Sequence, residues 1–254
     1  MSRIFPLRVI YFALILILTG SSSVLAQTEG DYLYNVTLVR AAPGSFNALM
    51  DAMEESFEVT VMAGDPVPMW MRHSQGDHWD FMIMYPMDSK EDFYSSDRVA
   101  RRNHAWDTDA GESIQSRLEA ATSYSEEWFA TSISVDEMRA RFQGMGMYHI
   151  EMFAGLPGKR AELLEQRRME NRYYSHLERQ QNVIFTRAGG SNWDFMTIGF
   201  HPSLLAFVEA GNRYSAAEQE EAAIVAGFSG TDDIGPYLRS LLSYHNDTIA
   251  VNPR

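Results

Sequence analysis

The tetrapeptide Trp-Asp-Phe-Met occurs twice in this chain, at residues 79–82 and at residues 193–196. The two copies lie 114 positions apart, and the same offset aligns further pairs without a gap: Tyr34 with Tyr148, Pro43 with Pro157, Gly76 with Gly190, and Phe93 with Phe207. A period of this length exceeds the roughly 20–50 residues of solenoid repeats. The sequence therefore predicts one domain-sized unit that occurs twice.

Each copy predicts the order strand, helix, strand, strand, helix, strand. In the first copy, alternating β-branched residues predict a strand, and an apolar i, i+3, i+4, i+7 stripe predicts a helix. The elements predicted there are a strand at 34–39, a helix from Ser45, strands at 69–73 and 79–85, a helix from Ser89 to about residue 102, an amphipathic stretch around 114–121, and a strand at 128–130. The second copy predicts a strand at 149–153, a helix at 159–181, strands at 183–187 and 193–200, helices within 203–228 and 236–242, and a strand at 243–251.

This order is the ferredoxin-like βαββαβ plan. A four-stranded sheet with helices on one face leaves its other face bare, and two such sheets can bury their bare faces against each other. We therefore predict an α+β fold in which two βαββαβ ferredoxin-like repeats pack sheet to sheet. Two independent domains are the alternative.

The amino terminus predicts export. Arg3 and Arg8 precede an apolar run at 9–18, and Val24-Leu25-Ala26 fits a signal-peptidase site. About ten apolar residues are too few to span a bilayer, which needs about 20. The predicted organisation is a signal peptide at 1–26, a first repeat at 27–133, a linker helix at 134–146 and a second repeat at 147–254, in a periplasmic or secreted protein with no stable membrane anchor after cleavage.

Composition excludes several classes of function. The net charge is −13, and loss of residues 1–26 removes Arg3 and Arg8 and makes it more negative. Such a field repels nucleic acid. The chain has no cysteine, which excludes disulfides, thiolate nucleophiles and cysteine metal sites. We predict no metal site.

The repeated βαββαβ plan, with an aromatic-Asp strand after a Gly turn, resembles the dimeric α+β barrel superfamily across residues 31–251. That superfamily includes NIPSNAP-like proteins, small cofactor-independent monooxygenases, haem-degrading enzymes and chlorite-dismutase-like proteins. The resemblance implies a pseudo-dimeric barrel formed by one chain, with a cavity between the sheets that takes a small molecule. It selects no catalytic residue, and it leaves homo-oligomerisation open.

The strand at 149–153 supplies the candidate catalytic residues. Tyr148, Ile150 and Met152 share one face, whereas His149 and Glu151 share the other. We expect the apolar face to meet the helices and the mixed face to look into the inter-sheet space. Because a buried His-Glu pair is costly unless it is paired or used, one interpretation is a polar pocket that binds a metal or haem or performs acid–base catalysis. A structural pair at the barrel rim is the alternative.

Candidate substrate-binding residues come from both copies: Asn35, His73, Asp80, Arg187, Asp194 and His245. His73 and Arg187 occupy the same repeat position, where a cation could meet an anionic group. Asp80 and Asp194 are general bases in one interpretation. In the other they accept backbone N–H groups near the hairpin, and their presence in both copies favours this structural role.

One helix and one histidine are predicted to be solvent-exposed. Both signs of charge interleave along the helix predicted at 159–181, which is typical of a solvated face. His201 follows a strand at a turn, and we expect it to be exposed.

The predicted function is that of an exported small-molecule-binding barrel, with cofactor-independent oxygenation in the inter-sheet cavity as its specific form. A non-catalytic NIPSNAP-like binding or interaction protein is one alternative. Haem binding through His149 or His245 is the other. We expect no cofactor, with haem as the second choice.

Overall fold

A computed structural model describes residues 27–254. The predicted signal peptide at 1–26 lies outside the described residues. Within residues 27–254, no helix combines the length and the apolar character that a membrane crossing requires.

The elements follow the predicted order. The strands are β1 Tyr32–Ala41, β2 Met69–Gln75, β3 Phe81–Asp88, β4 Thr122–Ser132, β5 Met147–Gly155, β6 Val183–Gly190, β7 Phe195–His201 and β8 Leu242–Val251. The helices are α1 Phe46–Met62, α2 Lys90–Phe93, α3 Ser96–Trp106, α4 Asp109–Ala121, α5 Val135–Phe142, α6 Arg160–His176, α7 Leu204–Ala210, α8 Ala216–Ala226 and α9 Thr231–Leu241.

One predicted helix is divided in the structure, and the stretch 203–228 holds two helices, within the one or two predicted there. The helix expected from Ser89 is interrupted at Ser95, the N-cap of α3. The stretch 203–228 holds α7 and α8, and α8 begins at the capping box that Ser215 forms with Glu218. The Ser215 side chain accepts the Glu218 N–H and so stabilises the start of α8, whereas the Ser95 side chain makes no such bond at the start of α3.

The eight strands form one closed antiparallel barrel in the order β1-β3-β2-β8-β5-β7-β6-β4. Within the first half, β1 pairs with β3 and β4; within the second, β5 pairs with β7 and β8. Between the halves, β4 pairs with β6 and β2 pairs with β8. The predicted α+β fold with two βαββαβ halves is confirmed. The two sheets also pair at their edges, which closes the barrel that the family resemblance implied.

The barrel interior holds a single apolar cluster with members from both halves. Its largest fully buried side chains are Tyr34, Trp79, Trp128, Tyr148, Phe185 and Phe200. Ile150 and Met152 belong to the same cluster. Met138 of α5 joins it, and Phe142 packs against it, so α5 contributes to the core as well as linking the halves. The resemblance implied a cavity in this space, where the structure has packed side chains.

The expectation for the two faces of the first strands was therefore wrong. The apolar face of β5 points into the barrel, and the mixed face carrying His149 and Glu151 points outward, beneath the helices. The same holds for β1, where Val39 packs with Leu49 of α1 in a separate cluster. A closed barrel gives its interior no access to water, so the wholly apolar face must lie inside.

The repeated glycines Gly76 and Gly190 lie where the halves meet. Their φ angles are +109° and +89°. A Cβ on Gly76 would clash with the carbonyl oxygen of Asp247 on β8, and a Cβ on Gly190 would lie 2.9 Å from Cα of Trp128 on β4. Each β-hairpin therefore needs glycine in order to approach the strand of the other half.

We expect Gly76→Ala to lower the free energy of unfolding by about 3 kcal/mol, because it combines a left-handed backbone with a steric clash. Gly144→Ala is the matched control: its φ is +73°, but nothing lies within 4 Å of the added methyl. That variant should lose only about 1 kcal/mol. Urea unfolding measures both, and equal losses would contradict close packing between β2 and β8.

Candidate functional site

A cavity of about 250 Å³ lies on the outer side of the second half, between the barrel and helices α6 and α7. Histidine, arginine and aromatic side chains line it, chiefly His149, Tyr174, Arg179, His201, Phe207 and Arg213. Helix α7 covers the cavity with Ala206, Phe207 and Ala210. No residue of α7 is buried.

His149 forms the polar centre of this cavity. Its Nε2 lies 2.7 Å from Oδ1 of Asp247, and its ring lies 5.0 Å from the ring of Phe207. Burial favours the neutral imidazole, but the hydrogen bond to Asp247 and the charge of Glu151 outweigh burial and raise the pKa of His149. With Nε2 directed at a carboxylate, Nδ1 is left to accept a proton.

His201, at the end of β7, has the opposite electrostatics. Burial, together with the positive charges of His149 and Arg179, lowers the pKa of His201 to about 4. The imidazole is therefore neutral at pH 7 and can donate or accept a hydrogen bond. The expectation that His201 is exposed was wrong, because α7 folds back over it and Phe207 packs against its ring at 4.9 Å.

A buried polar network adjoins the cavity. Glu151 accepts from Arg167 at 3.4 Å, and Arg167 also pairs with Glu170. The Tyr174 hydroxyl, on the cavity wall, donates to Glu170 at 2.5 Å. Burial alone would raise the pKa of Glu151, but His245 and the Arg167 guanidinium hold it well below its usual value. Glu151 is therefore ionised at neutral pH.

The structure brings three of the predicted residues together on the outer face of the second half. His149 and Glu151 lie two positions apart on β5, and Nε2 of His245 on β8 lies 3.4 Å from Oε1 of Glu151. The His245 ring stacks on Phe153 with centroids 4.9 Å apart. His149 contacts the cavity directly, whereas Glu151 and His245 lie behind its wall.

Four other predicted residues lie at the hairpins, and none of them lines this cavity. Asp80 accepts the Ala41 N–H at 2.8 Å, and Asp194 accepts the Gly155 N–H at 2.9 Å. These are the backbone contacts of the structural interpretation. The other two bind within their own hairpins: Arg187 donates to Asp194 at 2.8 Å, and His73 accepts the Asp77 N–H at 3.0 Å.

Asn35 is the first-half counterpart of His149. Its Nδ2 lies 3.4 Å from Oε2 of Glu127. The pairing of β1 with β4 places Glu127 opposite Thr37, as the pairing of β5 with β8 places Asp247 opposite Glu151. In both halves a carboxylate therefore contacts the side chain at this position. That side chain is a neutral amide in the first half and an ionisable imidazole in the second.

Sequence reasoning missed the contribution of α6. The expectation that this helix presents a solvated face holds for Glu162 and Glu165 but is wrong for Arg167, which is 2% exposed. The repeat contained the signal. At the offset of 114, Arg167 replaces Met53 of the apolar stripe of α1, so a charge stands at a position marked as core.

The described residues do not favour a bound metal or haem. No group of three His, Asp or Glu side chains within residues 27–254 could hold a metal ion. The two imidazoles considered for haem face carboxylates, Asp247 and Glu151. A volume of about 250 Å³ lies below the roughly 300–1,000 Å³ of ligand pockets, and it fits a compact ring system better than a porphyrin.

Comparison with known proteins supports the fold. No family model matches the chain, and no curated protein matches it. Among solved structures, a proposed monooxygenase from Fusobacterium nucleatum aligns with 87% of this chain and 94% of its own at TM-score 0.51 and 8% identity. An anthrone oxidase-like protein aligns with 89% of this chain and 94% of its own, at TM-score 0.51 and 16% identity.

The chain has the dimeric α+β barrel fold. A heme-binding protein from Thermus thermophilus aligns with 90% of this barrel and 94% of its own chain, but at TM-score 0.44 and 10% identity. That likeness is too distant to bear on haem. The narrower NIPSNAP-like resemblance stays a prediction.

We expect Glu151→Gln to lower the free energy of unfolding by about 3 kcal/mol at pH 7, because it removes one partner of a buried ion pair. A carboxyl with a lowered folded-state pKa stabilises the fold above its unfolded pKa of about 4.3 and loses that effect as pH falls. The difference between the variant and the wild type should therefore shrink between pH 5 and pH 3.

Urea unfolding at pH 7, 5 and 3 measures this dependence. Glu162→Gln, which removes an exposed partner of Lys159, is the control and should change stability by less than about 0.5 kcal/mol. A Glu151→Gln deficit that stays constant with pH would contradict an ionised, stabilising Glu151.

Proposed function

We propose that the second-half cavity binds a compact aromatic molecule with an acidic C–H bond and that His149 removes the proton, which starts a cofactor-independent oxidation by O2. The observation that supports this most directly is the His149–Asp247 pair on the cavity wall. The two likenesses at TM-score 0.51 are consistent with this proposal, since one is an anthrone oxidase-like protein and the other a proposed monooxygenase.

The cavity suits an aromatic substrate that becomes an anion. Phe207 and Tyr174 provide flat apolar surfaces. Arg179 and Arg213 also line the cavity, and their charges can stabilise the oxyanion that forms when a ketone becomes an enolate. Donors and charges fixed where negative charge develops lower the barrier, because no reorganisation is needed at that moment.

Proton transfer follows from the pairing of His149. Asp247 holds the ring through Nε2 and stabilises the imidazolium, so Nδ1 is the base. With anthrone, the C10–H proton passes to His149 and leaves an electron-rich enolate. The enolate forms a C–O bond to O2, and His149 returns the proton to give a hydroperoxide. Loss of water then yields anthraquinone, so anthrone and O2 give anthraquinone and H2O.

Export belongs to the proposal as well. The pattern of residues 1–26 supports a cleaved signal peptide and a periplasmic or secreted location. The matching residues at an offset of 114 support an internal duplication. A non-catalytic binding protein would use the same cavity, and loss of turnover with retained ligand binding in variants of His149 separates the two functions.

We expect His149→Asn to lower the rate of anthrone oxidation at least about 100-fold, the contribution of a general base, with the fold intact. The asparagine reproduces the pairing that Asn35 makes with Glu127 in the first half, so the substitution suits the fold. An oxygen electrode and the absorbance of anthraquinone measure the reaction. His176→Asn, at an exposed histidine outside the cavity, is the control and should be active.

The pH dependence is a further prediction. The base acts only when neutral, so the rate should rise with pH around a midpoint above the ordinary histidine value of about 6.5. Asp247→Asn removes the charge that raises this pKa, and the midpoint should move to lower pH. Full activity in His149→Asn, or an unchanged midpoint in Asp247→Asn, would contradict this role.

A further inference from the structure

We propose that the first half contains a second, chemically distinct site, which binds a neutral two-ring aromatic molecule with a carbonyl acceptor. This site is independent of the function proposed for the second half. Three observations support it: two cavities under α1, the uncharged side chains that stand where the second half has its charged network, and the Tyr85 hydroxyl, which has no hydrogen-bond partner among the described residues.

Two adjoining cavities of about 580 and 270 Å³ lie between the barrel and helices α1, α3 and α4. They share the lining residues Asn35, Ser56, Tyr85 and Leu118, so these side chains contact both cavities. Their place in the fold matches the second-half cavity at the offset of 114: Asn35 corresponds to His149, Thr60 to Tyr174, and Phe93 to Phe207. The same framework therefore forms a cavity in both halves.

The side chains beneath the helices differ in charge between the two halves. Where the second half has Glu151, Arg167 and Glu170, the first has Thr37, Met53 and Ser56. Four aliphatic side chains, Val39, Leu49, Ile83 and Leu118, form the apolar part of the larger cavity, and three hydroxyl side chains also line it (Thr122, Ser123 and Ser125). No Lys, Arg or His lines it within the described part of the chain. Burial of an apolar molecule here gains hydrophobic stabilisation without the desolvation of a cation.

Two carboxylates, Glu119 and Glu127, line the same cavity. Their charge repels an anionic ligand. Arg102 lines the smaller cavity together with Asp65, whose carboxylate lies 3.8 Å away and balances its charge, although Nη1 of Arg102 has no hydrogen-bond partner among the described residues. The electrostatics therefore disfavour an anionic ligand, in contrast to the second-half cavity, which two arginines and one carboxylate line (Arg179, Arg213 and Glu178).

The Tyr85 hydroxyl supplies the specific contact. Tyr85 lines both cavities, and its hydroxyl makes no hydrogen bond within residues 27–254. Burial, helped by the charge of Glu127, raises the pKa of Tyr85, so the hydroxyl stays protonated and can donate. A half-buried donor without a partner gains by meeting an acceptor. The carbonyl oxygen of an aromatic ketone is such an acceptor.

Two fluorescent probes test the site in the full chain. Prodan is a neutral naphthalene ketone, and 8-anilinonaphthalene-1-sulfonate is an anion of similar size. We expect prodan to bind with a blue-shifted emission. Ser56→Phe, which fills the space shared by the two cavities, should weaken binding at least about tenfold, and Tyr85→Phe should weaken it about 2- to 10-fold through loss of one hydrogen bond.

Ala210→Trp, which narrows only the second-half cavity, is the matched control and should leave prodan binding unchanged. The anionic probe should be insensitive to Ser56→Phe. The proposal is overturned if prodan does not bind, if Ala210→Trp rather than Tyr85→Phe weakens its binding, or if the sulfonate competes with it for the first half. Anthrone turnover by the Tyr85→Phe variant reports on the second half separately.

Discussion

The closure of the hydrogen-bond ladder determines the rest of this structure. Every strand has a neighbour on both sides, and the joins β4–β6 and β2–β8 are made between the two halves. A closed barrel has no exposed sheet edge, and its interior must be filled by apolar side chains. The polar groups of both sites therefore lie on the outer surface of the strands, beneath the helices.

Under the helices, the two halves use one framework for different chemistry. Two positions on the first helix of each half determine whether the space beneath it is charged. In α1 they are Met53 and Ser56, and in α6 they are Arg167 and Glu170. His245 and Arg167 lower the pKa of Glu151, and Glu170 accepts the hydroxyl of Tyr174 on the cavity wall. Buried charges are tolerated there because each has an opposite partner within reach.

The sequence predicted local features well and long-range ones poorly. Period-2 and period-3.6 patterns placed the strands and helices, and the repeated Gly76 and Gly190 marked positions that only the structure explains. Alternation shows which residues share a face of a strand, but it does not show which face lies inside. The contact of His149 with Asp247 depends on the register between β5 and β8, which are about a hundred residues apart. No local signal encodes that register.

Helix α5 joins the halves in one polypeptide and contributes Met138 to their common core. A barrel assembled from two separate chains dissociates on dilution. If the two chains are identical, each substitution also appears in both halves of the barrel. A covalent tether replaces this bimolecular equilibrium with an effective concentration on the order of millimolar for a short linker. The symmetry constraint disappears with it, so a residue such as Arg167 can arise on one side while its counterpart stays methionine.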